Sequence, residues 1–192
     1  VSSSFFFNSF LKEVEPLKSE YQNYWLSIKE DINKKQSYFI KDVQFTDFVV
    51  FDIILGKLPN KVQLQLGNSS VIRYAQLFDN NSTIKVFCNR GTSGIDGSTS
   101  TAIGAASVSE EQVVFITGDI SFFYDSNGLW NKYIPDNFRI ILINNGGGGI
   151  FKILPGPQKT EASDYFETQH NLSAAHLCKM YQLEYNKASN KE

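Results

Sequence analysis

Cysteine is scarce in this chain of 192 residues: Cys88 and Cys178 stand far apart, with no CxxC pair. A disulfide framework and a cysteine zinc site are thereby excluded, and a reducing cytoplasm is the expected compartment. No apolar run approaches the ~20 residues that a bilayer span requires. Residues 1–7 carry no basic n-region, so a signal peptide is not expected either. The formal net charge is only −2 and no strongly basic stretch is present, which argues against nucleic acid or an anionic membrane as partner. The two histidines, His170 and His176, have neither metal spacing nor a paired nucleophile, and both read as structural or exposed. No Ser/His/Asp or Cys/His arrangement is recognisable, and no GxGxxG opens a helix. The chain also lacks an opening methionine and begins with the aromatic run Phe5-Phe6-Phe7, so it is expected to be the later part of a longer protein.

What is present suits one full-sized domain with a short appendage. Over residues 11–32, Leu11, Val14, Leu17, Tyr21, Trp25, Ile28 and Ile32 recur at helical steps, which predicts a long polar helix with Pro16 in its first turn and Lys34-Lys35-Gln36 at its end. A connector from an upstream domain and an ordinary amphipathic surface helix both fit that pattern. A second helix is predicted from Thr46 to about Lys57, with Phe48, Phe51, Ile54 and Leu55 on its buried side and Leu58-Pro59 as its stop. Residues 1–58 are therefore expected to be linker helices, and 59–192 the main domain.

From residue 61 the rhythm changes. Strand-like runs at 62–66, 84–88, 113–117 and 138–143 alternate with helical stretches near 69–78, 98–107, 121–132 and 172–181. The last two runs are apolar on consecutive positions, the pattern of a parallel sheet covered on both faces. The expected fold is α/β, a three-layer Rossmann-like arrangement with a mostly parallel sheet flanked by helices and preceded by N-terminal linker helices. Ligands of such open sheets bind beyond the carboxyl ends of the strands. The unusual loops all fall there: Gly67-Asn68-Ser69-Ser70, Asn89-Arg90-Gly91-Thr92-Ser93-Gly94-Ile95-Asp96-Gly97, Gly118-Asp119-Ile120-Ser121 and Asn144-Asn145-Gly146-Gly147-Gly148-Gly149.

Asp119 and Asn145 place an acid and a carboxamide at the ends of successive strands. Both are hard oxygen donors of the kind Mg²⁺ prefers, and Mg²⁺ commonly completes its near-octahedral shell with phosphate oxygens and water. The carbonyl of Gly147 is the expected third protein ligand, and the glycines allow backbone to approach a phosphate. Taken singly, Asp119 also reads as a helix N-cap and Asn145 as a turn residue. Arginine is used sparingly, three residues against 15 lysines. Arg73 and Arg90 fall on the ligand edge, whereas Arg139 begins a strand and belongs to the opposite one. Guanidinium forks suit bidentate carboxylates, so an anionic substrate is expected, with structural ion pairing as the alternative. Ser69 is placed to cap its helix or to meet an anion. Ile95, the one apolar residue of its loop, reads either as packing against something flat or as a simple anchor.

At these residues the chain resembles the thiamine-diphosphate (ThDP) enzymes, whose metal motif is Gly-Asp-Gly followed, after a similar gap, by Asn-Asn. Ile120 stands here in the third position. The runs Asn89-Arg90-Gly91-Thr92-Ser93-Gly94-Ile95-Asp96-Gly97, Gly118-Asp119-Ile120-Ser121-Phe122-Phe123-Tyr124-Asp125, and Asn144 to Phe151 followed by Leu154-Pro155 are similar to the synthases that make 2-succinyl-5-enolpyruvyl-6-hydroxy-3-cyclohexene-1-carboxylate in menaquinone biosynthesis. That resemblance implies a transferase, a carboligase using ThDP with Mg²⁺ or Mn²⁺, and 2-oxoglutarate and isochorismate as substrates. Residues 59–192 would be its diphosphate-binding domain. By position, Asp119, Asn145 and the Gly147 carbonyl would hold the metal. Ser93, Ile95, Gly118 and Ser121 would join them around the cofactor, with Ile95 as the wedge that bends it. Ser69, Arg73 and Arg90 would meet substrate carboxylates, and Ile150, Phe151 and Leu154 would form the apolar wall. No catalytic residue is implied within this chain: the activating glutamate belongs to an upstream domain, supplied by the partner subunit of a homodimer or homotetramer. The chain alone is expected to fold without turning over. The alternatives are another ThDP-dependent 2-oxo acid decarboxylase or carboligase, and a non-catalytic nucleotide-binding α/β module.

Overall fold

The computed structural model describes residues 2–153, 155–156 and 160–191, and divides the chain into two compact units, Val1–Gln44 and Phe45–Glu192. In the first unit the single helix expected over 11–32 is two helices, α1 (Ser3–Glu13) and α2 (Tyr21–Asp42). Pro16 has no N–H to donate and biases the residue ahead of it toward extended backbone. The chain is already extended at Val14 (φ −113°, ψ 138°), and helix resumes only at Tyr21. Neither helix buries a residue. No helix among the described residues is long and apolar enough to cross a membrane.

The second unit opens with α3 (Asp47–Lys57) and then alternates strand and helix: β1 (Gln63–Leu66), α4 (Ser70–Ala75), β2 (Lys85–Cys88), α5 (Ser98–Ser107), β3 (Val113–Gly118), α6 (Asp119–Tyr124), a 3₁₀ turn (Ser126–Leu129) and β4 (Phe138–Ile143). Among the described residues three short helices follow, α7 (Ile150–Ile153), α8 (Ser163–Glu167) and α9 (Ala175–Met180). The strands lie where the sequence predicts them and form one all-parallel sheet in the order β2-β1-β3-β4. From β1 the chain steps out to β2 and then returns past β1 to β3, so the winding reverses between β1 and β3. In doubly wound sheets that reversal opens a crevice at the carboxyl ends of the two strands.

Successive side chains of a strand face opposite sides, and β3 shows how this builds three layers. Its Val114 and Ile116 pack with Phe51 and Leu55 of α3 and with Val71 and Ala75 of α4. Its Val113 and Phe115 pack on the other side with Ala102, Ile103 and Ala106 of α5, Phe122 of α6 and Cys178 of α9. Full burial of one such large side chain stabilises by about 1.5–3 kcal/mol. The expected boundary after residue 58 falls inside this unit, because α3 commits Phe51 and Leu55 to the core. Phe48 and Ile54, expected on the buried side, are only half-buried, and Val49 is buried instead. Coverage on both faces does not extend to β2, an edge strand whose Lys85, Val86 and Phe87 are exposed. The helix expected over 121–132 starts earlier and ends at Tyr124, followed by the 3₁₀ turn. At that junction Asp125 turns back to α5, accepting from Ser100 N at 2.8 Å and from Ser100 Oγ at 2.9 Å.

Candidate functional site

The loops at the carboxyl ends of the four strands are hydrogen-bonded to one another. After β1, Asn68 is buried and donates its amide to the carbonyls of Asn89 (2.6 Å) and Gly94 (2.5 Å) in the loop after β2. From the first turn of α6, Ser121 donates its hydroxyl to the Ile95 carbonyl at 2.6 Å. After β3, Asp119 is only 2 % exposed and accepts three backbone hydrogen bonds: Ile120 N at 2.7 Å on Oδ1, and Gly146 N at 2.8 Å and Gly147 N at 3.1 Å on Oδ2. Each loop is thus tied to a neighbour across the sheet edge. Gly67 allows β1 and β3 to close at the reversal point, since a Cβ there would lie 3.2 Å from Thr117 Cα. Ser69 (φ 70°) and Ser93 (φ 59°), both predicted site residues, hold positive φ without being glycine, a local cost of about 1–3 kcal/mol that the surrounding bonds sustain.

The capping alternative does not hold: the N-cap of α6 is Gly118, no side chain caps the helix, and the carboxylate of Asp119, its first residue, clamps the loop after β4. Asn145 is exposed; its Nδ2 donates to Asp47 Oδ2 at 2.8 Å, and its Oδ1 accepts no hydrogen bond among the described residues. Among the described residues the Gly147 carbonyl accepts only from Gly149 N, at 3.0 Å. A carboxylate offers about four lone-pair sites and a carbonyl two, so Asp119, Asn145 and Gly147 each retain acceptor capacity. That donor set is all oxygen and fits Mg²⁺ or Mn²⁺. No three His, Cys, Asp or Glu side chains gather as a metal cluster among the described residues, so a cation here draws on the carboxamide and the carbonyl.

The glycine run has a second reason besides the approach of a phosphate. It lies backbone to backbone against the chain after α8: Gly148 N donates to Glu167 O at 2.6 Å, and Gly146 O accepts from His170 N at 3.1 Å. A Cβ on Gly147, at φ 153°, would sit 2.8 Å from Glu167 O, so only glycine fits without a shift. Alongside, Lys152 pairs with Glu167, and hydrogen bonds from Lys152 and then Gln169 hold the Glu167 carboxyl below the usual carboxylate range. Ile150 is buried, and Phe151 stacks on Phe166 with ring centroids 5.2 Å apart. Phe151 also lines an open cleft of about 410 Å³ with Lys152, Ser163 and Glu167. Leu154, the remaining member of the predicted wall, lies outside the described residues.

Arg73 on α4 and Arg90 after β2 are exposed, and neither guanidinium forms an ion pair or hydrogen bond among the described residues. The ion-pair alternative thus finds no partner. Arg139 is committed at the opposite edge, donating Nη1 to the carbonyls of Asp136 (2.7 Å) and Phe138 (2.8 Å). Both cysteines are free thiols. Burial pushes both upward, with the Arg90 guanidinium pulling Cys88 the other way, so both stay protonated at neutral pH.

Sequence reasoning missed His170. Its ring is edge-on to Phe123 at 5.4 Å, and its Nε2 lies 3.4 Å from Asp119 Oδ2. A lone histidine far along the chain carries no spacing signal; the contact exists because the segment after α8 folds back on the glycine run. His176 is exposed, as expected.

With this geometry in hand, comparison with known proteins gives a consistent result. Residues 66–192 match the family model described as thiamine pyrophosphate enzyme, C-terminal TPP binding domain. Relatives named 2-succinyl-5-enolpyruvyl-6-hydroxy-3-cyclohexene-1-carboxylate synthase include one from Flavobacterium psychrophilum, 58% identical over 98% of this chain and 34% of its own length. Another, from Bacteroides thetaiotaomicron, is 40% identical over 95% of this chain and 33% of its own length. A third, from Porphyromonas gingivalis, is 37% identical over 94% of this chain and 32% of its own. The chain spans about a third of the length of the curated relatives it matches. It belongs to the family of C-terminal TPP-binding domains of thiamine pyrophosphate enzymes.

Proposed function

We propose that this chain is the cofactor-binding portion of a 2-succinyl-5-enolpyruvyl-6-hydroxy-3-cyclohexene-1-carboxylate synthase, which releases CO₂ from 2-oxoglutarate and joins the remaining succinyl unit to isochorismate. The observation that carries this reading is the hydrogen-bonded edge centred on buried Asp119, with two unpartnered arginines on the same edge. ThDP, when bound, supplies the electron sink for decarboxylation and carbon–carbon bond formation. The chain's own residues bind and orient. Asp119, Asn145 and the Gly147 carbonyl would hold the Mg²⁺ or Mn²⁺, which would supply charge neutralisation of the diphosphate. The amides of Ile120, Gly146 and Gly147 keep Asp119 aimed, and Asp47 takes the Asn145 N–H so that the carboxamide oxygen is left for the metal. Ser93, Gly118 and Ser121 line the cofactor. Ile95, its carbonyl anchored by Ser121, would pack against the cofactor as an apolar wedge. Ser69, Arg73 and Arg90 meet the carboxylates of the two anionic substrates, and Ile150, Phe151 and Leu154 exclude water from the acceptor side.

The glutamate that activates the cofactor belongs, on this reading, to an upstream domain of the partner subunit in a homodimer or homotetramer. Two protonated free thiols accord with a cytoplasmic setting. The test is substrate choice by the full-length protein. CO₂ release is expected from 2-oxoglutarate and not from pyruvate, and Arg73→Gln or Arg90→Gln should raise KM for the dicarboxylate by about tenfold or more, the scale of a lost charged hydrogen bond. Equal turnover of pyruvate would favour a different 2-oxo acid carboligase.

A further inference from the structure

His170 lies against both segments that carry the proposed metal ligands. Its backbone N donates to Gly146 O at 3.1 Å, pinning the turn whose amides hold Asp119 Oδ2. Its ring nitrogen Nδ1 accepts from Leu172 N at 3.1 Å. A nitrogen that accepts carries no hydrogen, so in the neutral imidazole the proton sits on Nε2. That Nε2 is buried, has no hydrogen-bond partner among the described residues, and lies 3.4 Å from Asp119 Oδ2. A buried N–H left unpaired is costly, and the nearby acceptor is the carboxylate that already serves the glycine turn. Carboxylates that ligate metals are themselves held by outer hydrogen bonds, whose loss typically costs ~10–100-fold in metal affinity.

We infer that His170 is a positioning residue for Asp119: its Nε2–H steadies the carboxylate in the orientation that receives the metal, and its backbone fixes the turn beside it. This rests on the reading of Asp119 as a metal ligand.

Two substitutions separate this role from simple packing. His170→Asn keeps an acceptor near the Nδ1 position for Leu172 N and removes the donor toward Asp119. His170→Gln places an amide N–H near the Nε2 position and gives up that acceptor. The readout is Mn²⁺ binding by the full chain in the presence of ThDP, followed by the loss of the free-Mn²⁺ electron paramagnetic resonance signal. H170N should bind Mn²⁺ ~10–100-fold more weakly than the unaltered chain, and H170Q within a few-fold of it. The opposite order, or equal affinity of H170N and the unaltered chain, overturns the inference while leaving the metal site standing. Absence of ThDP-dependent Mn²⁺ binding by the unaltered chain overturns the metal-site reading and this inference with it. A measurement without substitution guards against a variant that does not fold. In the ¹⁵N-histidine spectrum of the unaltered chain, His170 should show the Nε2–H tautomer, and an Nδ1–H tautomer would refute the role.

Discussion

Asp119 accepts three backbone hydrogen bonds with two oxygens, so its replacement removes more than a ligand. Asp119→Ala leaves the amides of Ile120, Gly146 and Gly147 without their acceptor at partly to fully buried positions. The expected loss is about 2–5 kcal/mol, since each orphaned buried group costs about 1–3 and relaxation recovers part of it. Urea unfolding would check this; an unchanged midpoint would mean that the carboxylate is not the clamp described. Gly118-Asp119 was readable as a site because the signal is local: an acid at a strand end, ahead of a helix. His170 and Asp47 were not readable, because they reach Asp119 and Asn145 from distant parts of the chain. Ser69 and Ser93 were singled out as site residues, but their positive φ belongs to the folded loops and leaves no trace in the residue type.

At the level of elements, the glycine run, α7 and the segment from α8 to His170 form one packed group. Lys152 and Glu167 are its ionic tie. Because the Glu167 carboxyl is held below its ordinary value of about 4.3, its contribution to stability is present above that value and is lost as pH falls through the lower folded one. Acidification below about pH 4 should therefore lower the protection of the amides of residues 163–170, measured against their intrinsic exchange rates, ahead of the sheet. Glu167→Gln should make that protection insensitive to pH in the same window, and a pH response unchanged in the variant would assign it elsewhere. Neither α7 nor α8 was foreseen; at four and five residues they are too short to show a helical period. The split of α1 from α2 was missed for a different reason. Apolar spacing carried the pattern through Pro16, while the backbone restriction at proline overrode it.

At the scale of the whole molecule, strand and helix alternate because each strand needs a covering layer, and that requirement is written into the apolar runs of β3 and β4. The parallel α/β class was therefore legible. The order β2-β1-β3-β4 was not, since side-chain period records which face a residue takes and not which strand lies beside it. The start of the compact unit was misplaced because α3 looks like a connecting helix in sequence, and only its packing of Phe51 and Leu55 against β1 and β3 shows where it belongs. With all four strand-end loops on one edge, the central claim is that this edge binds a diphosphate through a metal, and calorimetric titration of the full chain with ThDP, with and without Mg²⁺ and beside a parallel titration with ATP, tests it most directly. Saturable heat with ThDP that requires Mg²⁺ and is lost in Asp119→Asn is the predicted result; ThDP binding indifferent to Mg²⁺, or ATP binding with no interaction with ThDP, would contradict it.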